Sequence, residues 1–272
     1  MLINKKFSIS KSETRCFSYR KRILEISQTV SALHAAGAFS SAEMIDLIYY
    51  GLKRDYKNYS DIFIMSKGHS CIIQYLILND LGFLTKKDID SYCKSKGKLG
   101  CHPDYGTPGI QASTGSLGHG MGLAAGIAHG FKIKKKKSKV FLIISDGELQ
   151  EGSTWESMMM AANLKLDNLV CFLDHNGSQS FGKTKETHPM FYPIEMKVRG
   201  FNWNAYSVNG HNTKSMVHLL KKIKINKPTM IIGNTVKGKG VSFMEHKPIW
   251  HYRSPNKDEY KTAINNLRLI NK

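Results

Sequence analysis

Apolar positions in this chain fall into short unbroken runs, separated by stretches in which they recur every three or four residues. That is the pattern of buried parallel strands alternating with amphipathic helices. The clearest unit runs from Val140 to Gly182. Val140 to Ile144 (VFLII) is wholly apolar and rich in β-branched residues, which predicts a strand covered on both faces, and it stops at Ser145-Asp146-Gly147. Ser153 and Glu156 have capping-box spacing and predict a helix over Trp155 to Leu166, and Asn168 to Leu173 is the second strand. A strand, crossover helix and strand of one sheet are almost always parallel and right-handed, so Asp146 and Asn176 are expected at the same sheet edge.

The same reading extends along the chain. Ile23, Ile26, Val30 and Leu33 share one face of a helix from about Glu13 to Leu33, and Ser40 with Glu43 gives a second capping box ahead of Met44, Ile45, Leu47 and Ile48. Within Asp61 to Ile72 lies Ser66-Lys67-Gly68-His69, followed by an apolar helical run, and a Pro- and Gly-rich loop then carries His102. Gly115 to Gly118 opens a helix kept thin by Gly120, Gly122, Ala124, Ala125, Gly126 and Ala128. Two more strands end near Asn209-Gly210-His211 and before Lys237-Gly238-Lys239-Gly240, and a short helix with Tyr260, Ile264 and Leu267 closes the chain. The expectation is a single α/β domain over 1–272, a mostly parallel β-sheet with helices on both faces.

Composition narrows this little. With 272 residues, 41% of them hydrophobic, the chain can bury one large core, and no repeat or linker divides it. Cys16, Cys71, Cys93, Cys101 and Cys171 are odd in number and form no CxxC pair, so reduced thiols and a cytoplasmic setting are expected. MLINKKFSIS has no signal-peptide core, and no apolar run approaches the roughly 18 residues of a membrane span. A net charge of +19 would attract phosphorylated sugars and also RNA. Its densest run, Lys132 to Lys139, falls where a surface loop is expected, and no aromatic-interleaved basic motif accompanies it. Neither specific nucleic-acid binding nor a membrane is expected.

Candidate chemistry comes from the strand ends. An Asp carboxylate, an Asn amide oxygen and a backbone carbonyl beyond Asn176 suit a hard cation such as magnesium, which takes six oxygens and keeps phosphate among them. With a single carboxylate, the cation retains positive charge for a diphosphate to neutralise. Either Asp-Gly or Asn-Gly alone would be a turn; one crossover unit apart, they form a pair. Bare amides of Gly115, Ser116, Leu117 and Gly118 at a helix N-terminus make an anion site, favoured by the dipole by about 0.3 to 1 kcal/mol per charge.

SDGELQEG, followed some thirty residues later by LDHNG, resembles the thiamine diphosphate signature, usually GDG and then Asn; the flanking LQEGSTWE and KLDNL are similar to those of transketolases. In order, the rest resembles the N-terminal half of transketolase, which exists as a separate subunit in split transketolases. The resemblance implies the thiamine diphosphate-binding fold, with thiamine diphosphate and Mg2+ (or Ca2+ or Mn2+) as cofactors. It places the metal on Asp146, Asn176 and the Ser178 carbonyl, and the cofactor on Gly115, Ser116, Leu117, Gly147, Glu148 and Asn176, with His69 and His251. Proton transfer is assigned to His34, His69, His102 and His251, whose ordinary pKa suits it. Glu151 matches an acidic residue that links cofactor sites across a subunit interface.

Four departures accompany the match: Ser145 for the first Gly of GDG, Ala36 and Cys101 for glycines beside His34 and His102, and His119 for a Gln. Ser145 leads to an expectation of weakened cofactor binding. The implied activity moves a two-carbon ketol unit from a phosphorylated ketose to an aldose. The pyrimidine-binding and C-terminal domains are expected on a separate C-terminal subunit, in an α2β2 assembly. A deoxyxylulose phosphate synthase-like or acyloin-forming thiamine enzyme would share the metal motif. A non-catalytic scaffold subunit would fit Ser145 and Ala36, and an RNA-binding protein only the charge.

Overall fold

In the computed structural model, which describes residues 3–31, 33–52, 60–179 and 182–270, five parallel strands form one sheet. They are β1 (Ile62–Met65), β2 (Val140–Ser145), β3 (Leu169–His175), β6 (Asn204–Asn209) and β7 (Thr229–Asn234), in the order β1-β2-β3-β7-β6; β4 (Ser178–Gln179) and β5 (Gly182–Lys183) form a separate antiparallel pair. The helices are α1 (Ile9–Ser27), α2 (Ala35–Ser40), α3 (Ala42–Asp46), α4 (Ile72–Asp80), α5 (Lys86–Asp90), α6 (His119–Ile133), α7 (Gly152–Asn163), α8 (Thr184–Thr187), α9 (Ile194–Gly200), α10 (Thr213–Lys222) and α11 (Lys257–Ile270). None of them is long and apolar enough to cross a membrane, among the described residues.

Side chains along each strand alternate between two cores, as a pleated sheet covered on both faces requires. Ile143, Phe172 and Ile231 lie in register across three strands and face the core built with α1 to α5, α10 and α11. Their neighbours Ile144, Leu173 and Ile232 face the other core, built with α6, α7 and α9. Phe172 is fully buried at the middle of the sheet. Phe172→Ala is expected to lower unfolding free energy by about 3 to 5 kcal/mol, read from urea denaturation; a loss under 1 kcal/mol would mean that this core is loosely packed.

Local boundaries differ from the sequence expectation where side chains find distant partners. The first helix runs over Ile9–Ser27 rather than to Leu33: Ser8 caps it, and at its far end Ser27 and Thr29 hydroxyls donate to the Leu24 and Ile26 carbonyls and end the helical ladder. Neither expected capping box forms. Ser40 Oγ donates to Asp174 at 2.6 Å, Glu43 pairs with Arg20 at 2.7 Å, and α3 begins after Ser41 with no side-chain cap. Ser153 lies inside α7 and donates to the Gly118 carbonyl at 3.1 Å, while Glu151 takes the cap position. The second strand extends past Leu173 to His175, which carries Asp174 into the sheet. Lys134 to Lys137 are exposed in the loop before β2, at the opposite end of that strand from Asp146.

Candidate active site

Every parallel strand delivers its C-terminal end to one edge, and the loops there enclose a cavity of about 190 Å3. His69, His102, Gly115, Leu117, Gly147, Asn176, Ser178 and His251 line it, together with Lys67, Ser145 and Lys237. Two loops meet through glycine: a Cβ on Gly68 would lie 3.0 Å from the Gly115 backbone, and one on Gly115 would strike the His102 ring at 2.8 Å. Gly115 also has φ +143° and Gly118 φ +83°, conformations that exclude most side chains. Gly118 caps α6, so the helix N-terminus meets the cavity wall. Gly120 brings α6 against Ser66 in β1's outgoing loop, where a Cβ would come within 2.1 Å of Ser66 Oγ, whereas Gly126 and Gly130 face open space.

Asp146 and Asn176 do converge. Asp146 is fully buried, its Oδ2 accepts the Gly177 N–H at 2.6 Å, and its Oδ1 has no hydrogen-bond partner. Burial pushes its carboxyl above the usual carboxylate range, against His175 Nδ1 at 3.4 Å. An orphaned anionic oxygen in a dry site is what a resident cation would satisfy. Asn176 Oδ1 accepts the Ser178 N–H at 3.0 Å, which brings the amide oxygen and the Ser178 segment together. Asp146, Asn176 and the Ser178 carbonyl thus fit a magnesium ion that retains phosphate oxygens. The set holds one carboxylate, in keeping with the absence, among the described residues, of any cluster of three or more His, Cys, Asp or Glu side chains able to bind metal.

Above this pair, His34, His69 and His251 form a triangle of rings with centroids 5.3, 5.4 and 5.5 Å apart. Burial and then the neighbouring positive charges depress them: His34 to about 4, His251 to about 3, and His69 well below its ordinary value. Each depressed ring is protonated less readily folded than unfolded. Its contribution to stability is therefore complete above about pH 6.5 and is lost as pH falls towards 4. Buried Asp146 and Glu148, both raised, act in the opposite sense, so a comparison is needed. Between pH 7 and 5, the melting temperature of the wild type is expected to fall more than that of a His34→Gln/His251→Gln variant; parallel curves by calorimetry would mean that the rings titrate normally.

The remaining expected residues separate. Ser116 is exposed on the loop, and Glu151 is exposed at the start of α7, outside the cavity. Glu148 is fully buried and is not among the residues that line the cavity. Its carboxylate accepts from Ser66 Oγ, from Gly118 N at 3.3 Å and from Ser145 N at 2.9 Å, which joins the ends of β1, β2 and α6. Ser145 Oγ also turns to Glu148, at 3.3 Å, so the departure from glycine is tied back into the wall. Cys101 is exposed, with Sγ 3.2 Å from His102 Nδ1, and the room for His102 comes from Gly115 rather than from position 101.

Sequence reasoning left two lysines aside. Lys67 is buried against Asp174. Of the two Lys-Gly pairs after the last strand, Lys237 turns inward, with Nζ 2.5 Å from His251 Nδ1, and Lys239 outward to Glu245 at 3.7 Å. An ammonium only donates, so His251 accepts through Nδ1 and carries its proton on Nε2. Burial and Lys67 lower Lys237 to about 8. The sequence signal was Gly238, whose φ of +80° allows the turn that folds Lys237 back.

The family model for the transketolase thiamine diphosphate-binding domain matches residues 34–267. The chain belongs to the transketolase family. An apulose-4-phosphate transketolase subunit from Actinobacillus succinogenes is 35% identical over 269 residues, covering 96% of this chain and 97% of that protein. A 6-deoxy-6-sulfo-D-fructose transketolase subunit from Clostridium sp. is 35% identical over 256 residues, with 91% and 93% covered. The crystal structure of transketolase from Campylobacter jejuni superposes with a TM-score of 0.90 at 24% identity, which shows the same fold over 96% of this chain. The chain spans 43% of that transketolase's length.

Proposed function

We propose that this chain is the thiamine diphosphate-binding subunit of a split, magnesium-dependent transketolase, moving a two-carbon ketol unit from a phosphorylated ketose to an aldose. The observation that carries this reading is one sheet edge that brings together an unsatisfied buried carboxylate, the loop before a helix N-terminus and a cluster of neutral imidazoles around a cavity. When bound, the cofactor supplies the group that stabilises a carbanion after carbon–carbon cleavage. Asp146, Asn176 and the Ser178 carbonyl hold the cation, while Gly115, Leu117, Gly147 and Lys237 meet the diphosphate. His251, fixed as an Nε2–H donor, and His69 and His102, at the cavity wall, hold and move protons at the substrate oxygens, with His34 completing the ring cluster.

A second polypeptide carries the rest of the enzyme. A cavity of about 190 Å3 is smaller than the roughly 300 to 1,000 Å3 of pockets that bury a drug-sized ligand, which supports a site completed by another chain. The relatives' designation as subunits supports a partner. So do half-exposed Met159 and Met160 on α7 and Leu123 on α6, apolar side chains left uncovered on two helices that pack together. A two-plus-two assembly follows from the preference of oligomers for closed symmetry. The five free cysteines fit a reducing cytoplasm.

Ketol transfer is the test, assayed with the purified chain alone and then with the polypeptide bearing the C-terminal half. No turnover alone and turnover on mixing is expected, with native mass spectrometry giving two of each chain. Robust transfer by the lone chain would remove the need for a partner, and a mixture that neither binds thiamine diphosphate nor turns over would leave only a scaffold.

A further inference from the structure

Asp174 is the penultimate residue of β3, two before Asn176, and is fully buried. Its Oδ2 accepts from Ser40 Oγ at 2.6 Å and Asn176 Nδ2 at 3.1 Å and pairs with Lys67 Nζ, while its Oδ1 accepts from Thr235 Oγ1 at 2.5 Å. Lys67 is equally buried and also donates to the Gly37 carbonyl at 2.8 Å. A carboxylate and an ammonium are thus paired directly behind Asn176, with Lys67 also at the cavity wall and Asp174 set back from it.

The consequence lies in the amide. An Asn side chain has nearly the same shape with its oxygen and nitrogen exchanged, yet only the oxygen can bind a cation. Asp174 can only accept, so it retains the Nδ2 side and directs Oδ1 towards the Ser178 segment. We propose that Asp174, neutralised by Lys67, is a positioning residue that fixes the Asn176 amide with its oxygen towards the cation. This rests on the reading of Asp146 and Asn176 as metal ligands and adds to it the group that makes one of them competent. Lys67 has a second effect. An unneutralised Asp174 would bring negative charge close to the cation and reduce the positive charge left for the diphosphate.

The test measures Mn2+ binding by electron paramagnetic resonance, with and without inorganic diphosphate, on the full chain, alongside thermal unfolding. The variants are Asp174→Asn, Lys67→Met and the double Lys67→Met/Asp174→Leu. Asp174→Asn is expected to melt lower and to lose at least about tenfold in Mn2+ affinity, the usual effect of removing an outer partner of a ligand. Lys67→Met is expected to melt lower but, without diphosphate, to bind Mn2+ more tightly than the wild type. The double variant decides between orientation and folding. Apolar replacement of a buried pair is often neutral for stability, so its melting temperature recovers while its Mn2+ affinity stays about tenfold weak. Wild-type affinity in the double variant would reduce Asp174 to a structural role and overturn the proposal. A wild type that binds no Mn2+ even with diphosphate would instead remove the metal site itself.

Discussion

Asp146→Asn is expected to keep the fold and to lose metal-dependent thiamine diphosphate binding by at least about 100-fold, near 2.8 kcal/mol. The amide retains an oxygen for the Gly177 N–H, and a neutral group is easier to bury than the carboxylate that burial already pushes up. What it lacks is the charge of the single carboxylate in the set, without which the cation has little reason to leave water. Calorimetric titration of the cofactor with magnesium, and again with chelator, reads the effect directly. Equal affinity in wild type and variant, or a wild-type affinity indifferent to chelator, would contradict the assignment of Asp146.

A second large effect is expected at two histidines. His102→Ala and His251→Ala, assayed with the partner polypeptide, should each lower kcat by about 10² to 10⁴, the range for a positioned acid or base, while cofactor affinity changes far less. The two rings reach the cavity from different loops, and His251 is held as a neutral donor by Lys237. Rates within threefold of wild type in both variants would make the ring cluster structural. A matching loss of cofactor affinity would instead place these rings on the diphosphate.

The sheet was legible because β2 and β3 are long enough to show uninterrupted apolar runs and their ends carry unusual polar residues. β1 was not read as a strand: four residues, Ile62 to Met65, give too short a pattern to separate from the helix that follows Ser70. The strand ends predicted the meeting of Asp146 with Asn176, since topology alone brings them together. Capping boxes failed for the opposite reason. Ser40 and Glu43 have the right spacing, but Asp174 and Arg20, more than a hundred and about twenty residues away, are stronger partners than a local backbone amide. Lys67, Asp174 and Lys237 were hidden in the same way, because whether a lysine turns inward depends on what other loops place behind it.

The buried pair of Lys67 and Asp174 also constrains how this sequence can drift. Replacing either residue alone leaves an uncompensated buried charge, at about 3 to 5 kcal/mol, against a net stability of roughly 5 to 15 kcal/mol for a typical domain. Position 67 lies in the loop after β1 and position 174 in β3, yet a lineage can cross from one pairing to another only by way of a badly weakened protein or by two changes at once. Heredity should therefore treat them as one character, and a chimera that joins the first hundred residues of this chain to the remainder of a relative with a different partner at 174 is expected to misfold at that seam.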